Sequence, residues 1–482
     1  MELRTAFSRR SPELAAATPG GSAPLRLAGL GFGAKEGLAT IAGLIGLLVV
    51  TSPMTRFIVP IGAPGSTLPN WILGVFSPLK STAENLGQAT VDAGMSVGKA
   101  VVVLGLGLLA LAWMAVVRDA DSIPLRALAW AIGGIYFLLL IAPPLFSTDI
   151  FTYLSAGRLQ VLFGVNPYLH GPVVRPQDPA FGWTGLIWCD TPSVYGPIFT
   201  MFTAGLTVVG LPAGMWILKL VGFLSAGACA WLTWSIARDL GRPAAQAMAF
   251  VALNPLLLVY ALGGGHNDLL MLAVVLAAVR LVIQAKPRSA GAVLGAAVAI
   301  KGSAGLVLPF LLVGARKRAE NGAKEAAIGF AAVTAAVGLV ATLVYGFDWM
   351  KAPATIANGT GQHIGELKSI PGVLAGYLGL GQVGPVARAL LFAVVLAVIV
   401  QAVRVATRSK DGWIGAAGVA IMVSLALSTQ LHPWYVIWSL PFAALSADRR
   451  VRVGAVSLTV AVIAIQAVRW LLPLGVGWPH SG

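Results

Sequence analysis

Acidic side chains are scarce in this sequence, and one stands at the edge of a long apolar run. The stretch STDIFTYLSAGR (147–158) sets Asp149 just after the run 126–146, with Arg158 one short helix further on. A carboxylate in that place can cap a helix, because Asp favours the N-cap. It can also serve as a general base, since acidic groups at a membrane boundary are costly and tend to be functional. The two roles are compatible. Arg158 can pair with a phosphate or reach lipid headgroups by snorkelling. GVNPYLHGP (164–172) then offers Tyr168 and His170 on a turn marked by Asn-Pro and Gly-Pro. Tyr195 follows, just ahead of Pro197. In GGGHNDLLM (263–271), His266, Asn267 and Asp268 come after three glycines. They can cap the next helix, or they can hold a hydroxyl or an oriented water. They lack the i, i+4 spacing of helical metal ligands. Lys301-Gly302-Ser303 interrupts the apolar run 290–314. TQLHPWYVIW (429–438) adds His432, Trp434 and Tyr435. The aromatics suit a membrane-interface belt, while His432 with Lys301 could hold a phosphate.

Elements of one kind must position these groups. Of 482 residues, 57 % are hydrophobic and only 11 % charged, against about 25 % charged in a soluble domain. Many runs approach the roughly 20 apolar residues that span hydrocarbon. The reading is an all-α polytopic membrane protein. The net charge of +15 does not point to nucleic acid, because the cations gather in short loops, as the positive-inside rule expects. Two cysteines, Cys189 in a loop and Cys229 in an apolar run, exclude a cysteine metal cluster and argue against a disulfide. Residues 1–36 read as a cytoplasmic, mobile arm and not a signal peptide, followed by a single transmembrane domain over 37–482. Asn358-Gly359-Thr360 is a formal glycosylation sequon. The Asp-Ala-Asp at 119–121 reads as a turn or cap, and no Walker motif is present.

The apolar runs lie near 38–60, 98–117, 126–146, 213–237, 244–262, 267–284, 290–314, 326–346, 385–406, 413–430, 434–446 and 453–473. Basic loops around Arg118, Arg238, Lys286, Arg316, Arg404 and Arg449 fix the inner side. Two conflicts are informative. If 195–210 crossed, Arg238 and Arg242 would fall outside, so this stretch is expected to lie in the interface, its start marked by Pro197. The run 290–314 has basic loops at both ends and is too short for two spans. It is expected to be two short helices meeting near the outer half of the membrane, or a re-entrant hairpin, with the broken backbone and Lys301 facing a cavity. The substantial loops, 147–212 and 347–384 above all, then lie on the outer face, where the chemistry is expected.

STDIFTYLSAGR, GVNPYLHGP, VYGPIF, NPLLLVYALGGGHNDLLM, KGSAGLVLPF and LHPWYVIWSLPF occur in that order over about 126–446. In this the chain resembles the GT-C membrane glycosyltransferases, and within them the polyprenol-phosphate-mannose-dependent alpha-1,6-mannosyltransferases of actinobacterial lipomannan assembly. The resemblance implies a GT-C-type fold of about 11–13 membrane helices, with interfacial helices over 150–163 and 195–210 in a large outer loop. It implies a lipid-linked sugar donor, a mannan or glycolipid acceptor, a plasma-membrane location with the active site outside, and no required metal or other cofactor. Asp149 matches the position of the base. In that reading Lys301, His432 and Arg158 receive the donor phosphate, and His266, Asn267, Asp268, Tyr153, Tyr168, His170, Tyr195 and Tyr435 contact sugar.

The rival classes are a transporter or flippase of a lipid-linked sugar, which also uses broken helices and buried charge, and a non-catalytic scaffold. A transporter needs a path to both faces and often repeated halves. The sequence shows no internal repeat, and its polar clusters gather on one side.

Overall fold

Apolar runs of this length can bury their backbone polar groups only by closing the helical hydrogen bonds within each segment, and helices account for every regular element among the described residues. The computed structural model describes residues 33–54, 69–79, 88–185, 188–358, 369–380 and 382–471. The arm up to residue 32 and most of the sequon lie outside them. The helices are α1 (Ala34–Thr51), α2 (Asn70–Leu73), α3 (Gln88–Arg118), α4 (Leu125–Ile141), α5 (Asp149–Phe163), α6 (Pro197–Gly205), α7 (Gly210–Asp239), α8 (Ala244–Ala252) and α9 (Asp268–Ile283). They continue with α10 (Pro287–Ile300), α11 (Leu308–Arg316), α12 (Gly322–Tyr345), α13 (Ala352–Asn358), α14 (Ile370–Tyr377), α15 (Pro385–Ala406), α16 (Gly412–Leu427), α17 (Leu440–Ala444) and α18 (Arg449–Leu471). Pro197, Pro287 and Pro385 open three of them, where the missing N–H costs nothing.

Six stretches are long and apolar enough to cross a bilayer, among them Val97–Arg118, Gly322–Tyr345 and Pro385–Ala406, and four shorter apolar helices join them. The chain is an all-α polytopic membrane protein. Several expected runs are interrupted. The run 244–262 breaks after α8 at Leu253 and Asn254, just before Pro255, and continues as a π-helical turn, Leu257–Leu262. The run 434–446 forms no continuous helix: a 3-10 segment, Pro433–Trp438, is followed by the short α17. The run 38–60 is helical only to Thr51 before a 3-10 turn.

The stretch expected to lie flat is set apart from the span after it. α6 has nine residues, a rise of about 14 Å, too short to cross. A 3-10 turn follows, and Gly210, with φ +79° and ψ 169°, breaks the helical path before α7. α6 rests on α5 through Gly157, where a Cβ would meet the Thr203 carbonyl oxygen at 2.3 Å. At the other end of α6, the Gly196 N–H donates to the Ile300 carbonyl at 3.0 Å. A Cβ at Gly196 would stand 2.1 Å from the Ala299 oxygen. These two glycines let backbone meet backbone, and so fix both short helices against the break after α10.

The break itself is as expected. α10 stops at Ile300, Lys301 is extended (φ −152°, ψ 122°), and a 3-10 segment, Gly302–Val307, leads into α11. The loops on this side are tied together. The Asn166 amide donates to the Tyr345 carbonyl at 2.9 Å and to Asp348 at 3.1 Å, and the Tyr345 hydroxyl donates to Gln160 at 2.9 Å. Tyr168, Ala341, Tyr345 and Ala352 form a buried cluster beneath, with Trp349 against it. At the other ends of the helices, Arg118 pairs with Asp119, part of the turn expected at 119–121, and Arg318 pairs with Asp411. Both cysteines are free.

Candidate active site

Four helix ends converge. α9 and α10 are joined by a short turn holding Lys286, so the start of α9 and the end of α10 lie together, opposite that basic turn. The start of α5 and the 3-10 segment after α16 complete the group. This places Asp149, His266, Asp268, Lys301 and His432 in one cluster.

Asp149 is the first residue of α5, and Thr148 occupies the cap position. The capping role is thus corrected: the Asp149 carboxylate points to His266 instead. His266 Nδ1 stands 3.3 Å from Asp149 Oδ2 and 3.4 Å from the Tyr153 hydroxyl. An ionised carboxylate only accepts, so the ring nitrogen is the donor. Burial pushes the Asp149 carboxyl up, but the hydrogen bond and charge of His266, with the charges of His432 and Lys301, outweigh it and hold the group below the usual carboxylate range. His266 is stacked on Trp434 at 3.7 Å, and Trp434 on His432 at 4.5 Å. Trp434 therefore fills the space between two imidazoles instead of serving as a membrane-belt residue. The Nε2 edge of His266 packs over Gly264, where a Cβ would meet it at 2.8 Å. His266 thus orients Asp149, and its Nε2 is buried without a hydrogen-bond partner.

Lys301 does not face an open cavity. Its ammonium donates to both oxygens of Asp268 at 2.8 Å, and Trp438 Nε1 donates to the same carboxylate at 2.7 Å. Tyr435, Trp438 and Tyr195 stand around the ammonium at 4.9, 5.5 and 5.9 Å from their ring centres, close enough for cation–π attraction. Tyr195 also meets Tyr153 edge-on at 4.9 Å, which joins the Lys301 surroundings to those of Asp149. Burial pushes the Tyr153, Tyr195 and Tyr435 phenols well up, so they stay neutral hydroxyl groups. Asn267 precedes α9 but makes no capping bond. Its side chain is 4 % exposed, and neither amide atom has a partner. Such groups are uncommon in native proteins and call for an explanation; a sugar hydroxyl would supply one.

Three expected site residues are placed elsewhere. Arg158 is held by Asp178, Nε to Oδ1 at 2.9 Å and Nη2 to Oδ2 at 2.9 Å, and Asp178 Oδ1 also accepts from the Ala180 N–H. This half-buried fork pins the loop after α5. Arg158→Ala is expected to cost about 1.5–3 kcal/mol of stability and to leave donor affinity unchanged; thermal unfolding and a donor titration check both. Tyr168 donates to the Tyr195 carbonyl and shares a hydrogen bond with Thr200, each at 3.0 Å, a supporting position. His170 is exposed on the loop. Among the described residues, no three His, Cys, Asp or Glu side chains gather as metal ligands would. The residues missed in the sequence are Trp434 and Trp438. Tyr435 and Trp438, three residues apart, share one face of the 3-10 turn, and that spacing carried a signal.

The family described as "Alpha-(1->6)-mannopyranosyltransferase, N-terminal domain" matches residues 61–316. The chain belongs to the alpha-(1->6)-mannopyranosyltransferase family. The "MptB C-terminal domain" matches 363–469, so the candidate site joins the two matched regions: Asp149, His266, Asp268 and Lys301 from the first, His432 and Trp438 from the second. Alpha-(1->6)-mannopyranosyltransferase A of Mycobacterium tuberculosis is 31 % identical over 45 % of this chain and 43 % of its own length. Alpha-(1->6)-mannopyranosyltransferase B of Corynebacterium glutamicum is 26 % identical over 78 % of this chain and 70 % of its own. A probable alpha-(1->6)-mannopyranosyltransferase of Mycolicibacterium smegmatis is 28 % identical over 67 % and 66 %. The chain thus spans less than half the length of the first of these relatives. No solved structure matches it significantly. Membership in a glycosyltransferase family weighs against the transporter and scaffold readings.

Proposed function

We propose that this protein transfers mannose from a polyprenyl-phosphate-linked donor to a mannan or glycolipid acceptor on the extracytoplasmic face of the plasma membrane. The observation that carries the reading is the buried Asp149, oriented by His266 within one cluster that also holds Lys301 and His432. Asp149 takes the proton of the acceptor hydroxyl. The oxygen attacks the anomeric carbon, the bond from that carbon to the phosphate oxygen breaks, and the lipid phosphate leaves as a dianion. A single base and no covalent intermediate give inversion.

The leaving phosphate gathers charge, which preorganised cations stabilise. Lys301, although paired with Asp268, and His432 stand in the Asp149 cluster and are the groups proposed to meet it; Arg158 is held by Asp178 in the loop after α5. Tyr435 and Trp438, stacked at 4.5 Å, offer a face for the sugar ring. A narrow apolar cleft lies behind Trp438, lined by Met271, Val275, Leu306, Ile421 and Phe442. It suits a prenyl chain whose phosphate reaches Lys301. The position of the cluster opposite the basic turns supports the outer face.

The test is donor choice. Purified protein is given labelled polyprenyl-phosphate-mannose or labelled nucleotide-linked mannose, with short mannosides as acceptors. Transfer from the lipid donor alone is expected. Transfer from the nucleotide sugar alone, or from neither, would overturn the reading.

A further inference from the structure

We propose that the cleft along α5 is the acceptor subsite, holding a pyranose ring of the glycan beside Thr152, His170, Trp188 and Tyr195. The proposal rests on the mannosyl-transfer reading and says where its second substrate binds. The cleft is narrow and is lined by these residues together with Pro167 and Ser193. Its walls are built. The Ser193 N–H donates to the Pro167 carbonyl at 2.7 Å and the Val173 N–H to the Cys189 carbonyl at 2.8 Å, so the loops 164–175 and 188–195 are held together across it.

Two observations point to a polar ligand. The first is Thr152. Several helical threonines return their hydroxyl to the carbonyl four residues back: Thr51 to Leu47, Thr233 to Cys229, Thr334 to Phe330 and Thr459 to Ala455. Thr152 does not. It is 7 % exposed, lines the cleft, and its Oγ1 has no hydrogen-bond partner. A buried hydroxyl left so is costly unless something enters to meet it. The second is register. Thr152, Ala156 and Leu159 line the cleft from one face of α5, and Asp149 heads that face three residues before Thr152. Side chains so spaced are neighbours on a helix. A ring resting on the half-buried Trp188 and bonded by Thr152 would therefore carry a hydroxyl toward Asp149. Tyr195 borders both the cleft and the Lys301 aromatics, and so stands where the two substrates would meet. A face of indole beside hydroxyl and imidazole groups is chemistry for a neutral, hydroxyl-rich ring and not for an anion.

The test uses Thr152→Val, which removes the hydroxyl and keeps the shape, and Trp188→Ala, which removes the stacking face. For each, KM for α-1,6-mannobiose and for polyprenyl-phosphate-mannose is measured, with saturation-transfer NMR of mannobiose on the detergent-solubilised protein as a readout independent of turnover. The expected result is an acceptor KM raised about five- to tenfold, an unchanged donor KM, and weakened saturation transfer. Wild-type acceptor KM and saturation transfer in both variants would overturn the subsite while transfer itself stands. Mannobiose binding that depends on Thr152, in a protein that transfers from no donor, would sink the mannosyl-transfer reading and keep the subsite. If Trp188→Ala does not fold, Thr152→Val alone decides.

Discussion

Asp149→Asn lowers turnover about a hundred- to ten-thousand-fold, the usual worth of a general base, while donor affinity stays near that of the parent. The amide oxygen can still accept from His266 Nδ1, which lies 3.3 Å from the carboxylate, so the packing survives. What is lost is the capacity to take a proton. The pH profile carries the same claim. The Asp149 carboxyl is held below the usual range despite its burial, by His266, His432 and Lys301. A depressed folded-state pKa leaves the group ionised, and its share of stability present, at every pH above the ordinary value of about 3.9. Both are lost only as pH falls through the lower folded value. No acid limb from Asp149 is therefore expected above about pH 4. Kinetics on the parent and the variant across pH, with donor binding followed in parallel, check both statements; turnover in Asp149→Asn within a factor of a few of the parent would refute the role.

Lys301→Met is expected to do more damage than its single charge suggests. Asp268 is fully buried and receives its hydrogen bonds from Lys301 and Trp438. Removing the cation strands a carboxylate, which costs about 3–5 kcal/mol for a buried pair. Activity falls as well, because the cation proposed to meet the leaving phosphate is gone. The double variant Lys301→Met/Asp268→Asn separates the two effects. With no uncompensated charge left, stability returns most of the way, since replacing both partners of a buried pair is often near neutral, but transfer does not return. Thermal unfolding and turnover measured on the three variants decide. A double variant that regains activity would show that Lys301 serves folding alone.

The parts of this site that were legible in the sequence were those that break a rule of membrane helices. Asp149 after an apolar run, three polar residues after Gly263-Gly264-Gly265, and Lys301 in the middle of a hydrophobic stretch are each costly unless used. Loop charges, with the helix-start signal of Pro197, separated 195–210 from the span after it, and the backbone at Gly210 turns there. The partners were not legible. Nothing in the sequence tells that Lys301 faces Asp268, because the pairing depends on the antiparallel return of α10 on α9 and on the height at which α10 stops. The pairing of Arg158 was hidden for a related reason. Its partner Asp178 lies in an irregular loop, where no period relates one residue to another. Trp434 was read as a belt residue because aromatics at a helix end usually meet lipid headgroups. Only the fold puts it between His266 and His432.

The stereochemical course of transfer tests the central claim most directly, because it separates a base from a nucleophile at Asp149. Labelled polyprenyl-phosphate-mannose of known anomeric configuration is turned over with α-1,6-mannobiose, and the new linkage is read by NMR. A product of opposite configuration is the predicted result, the mark of one displacement with Asp149 taking the acceptor's proton. A product of retained configuration would mean two displacements through a covalent intermediate, and would contradict the account.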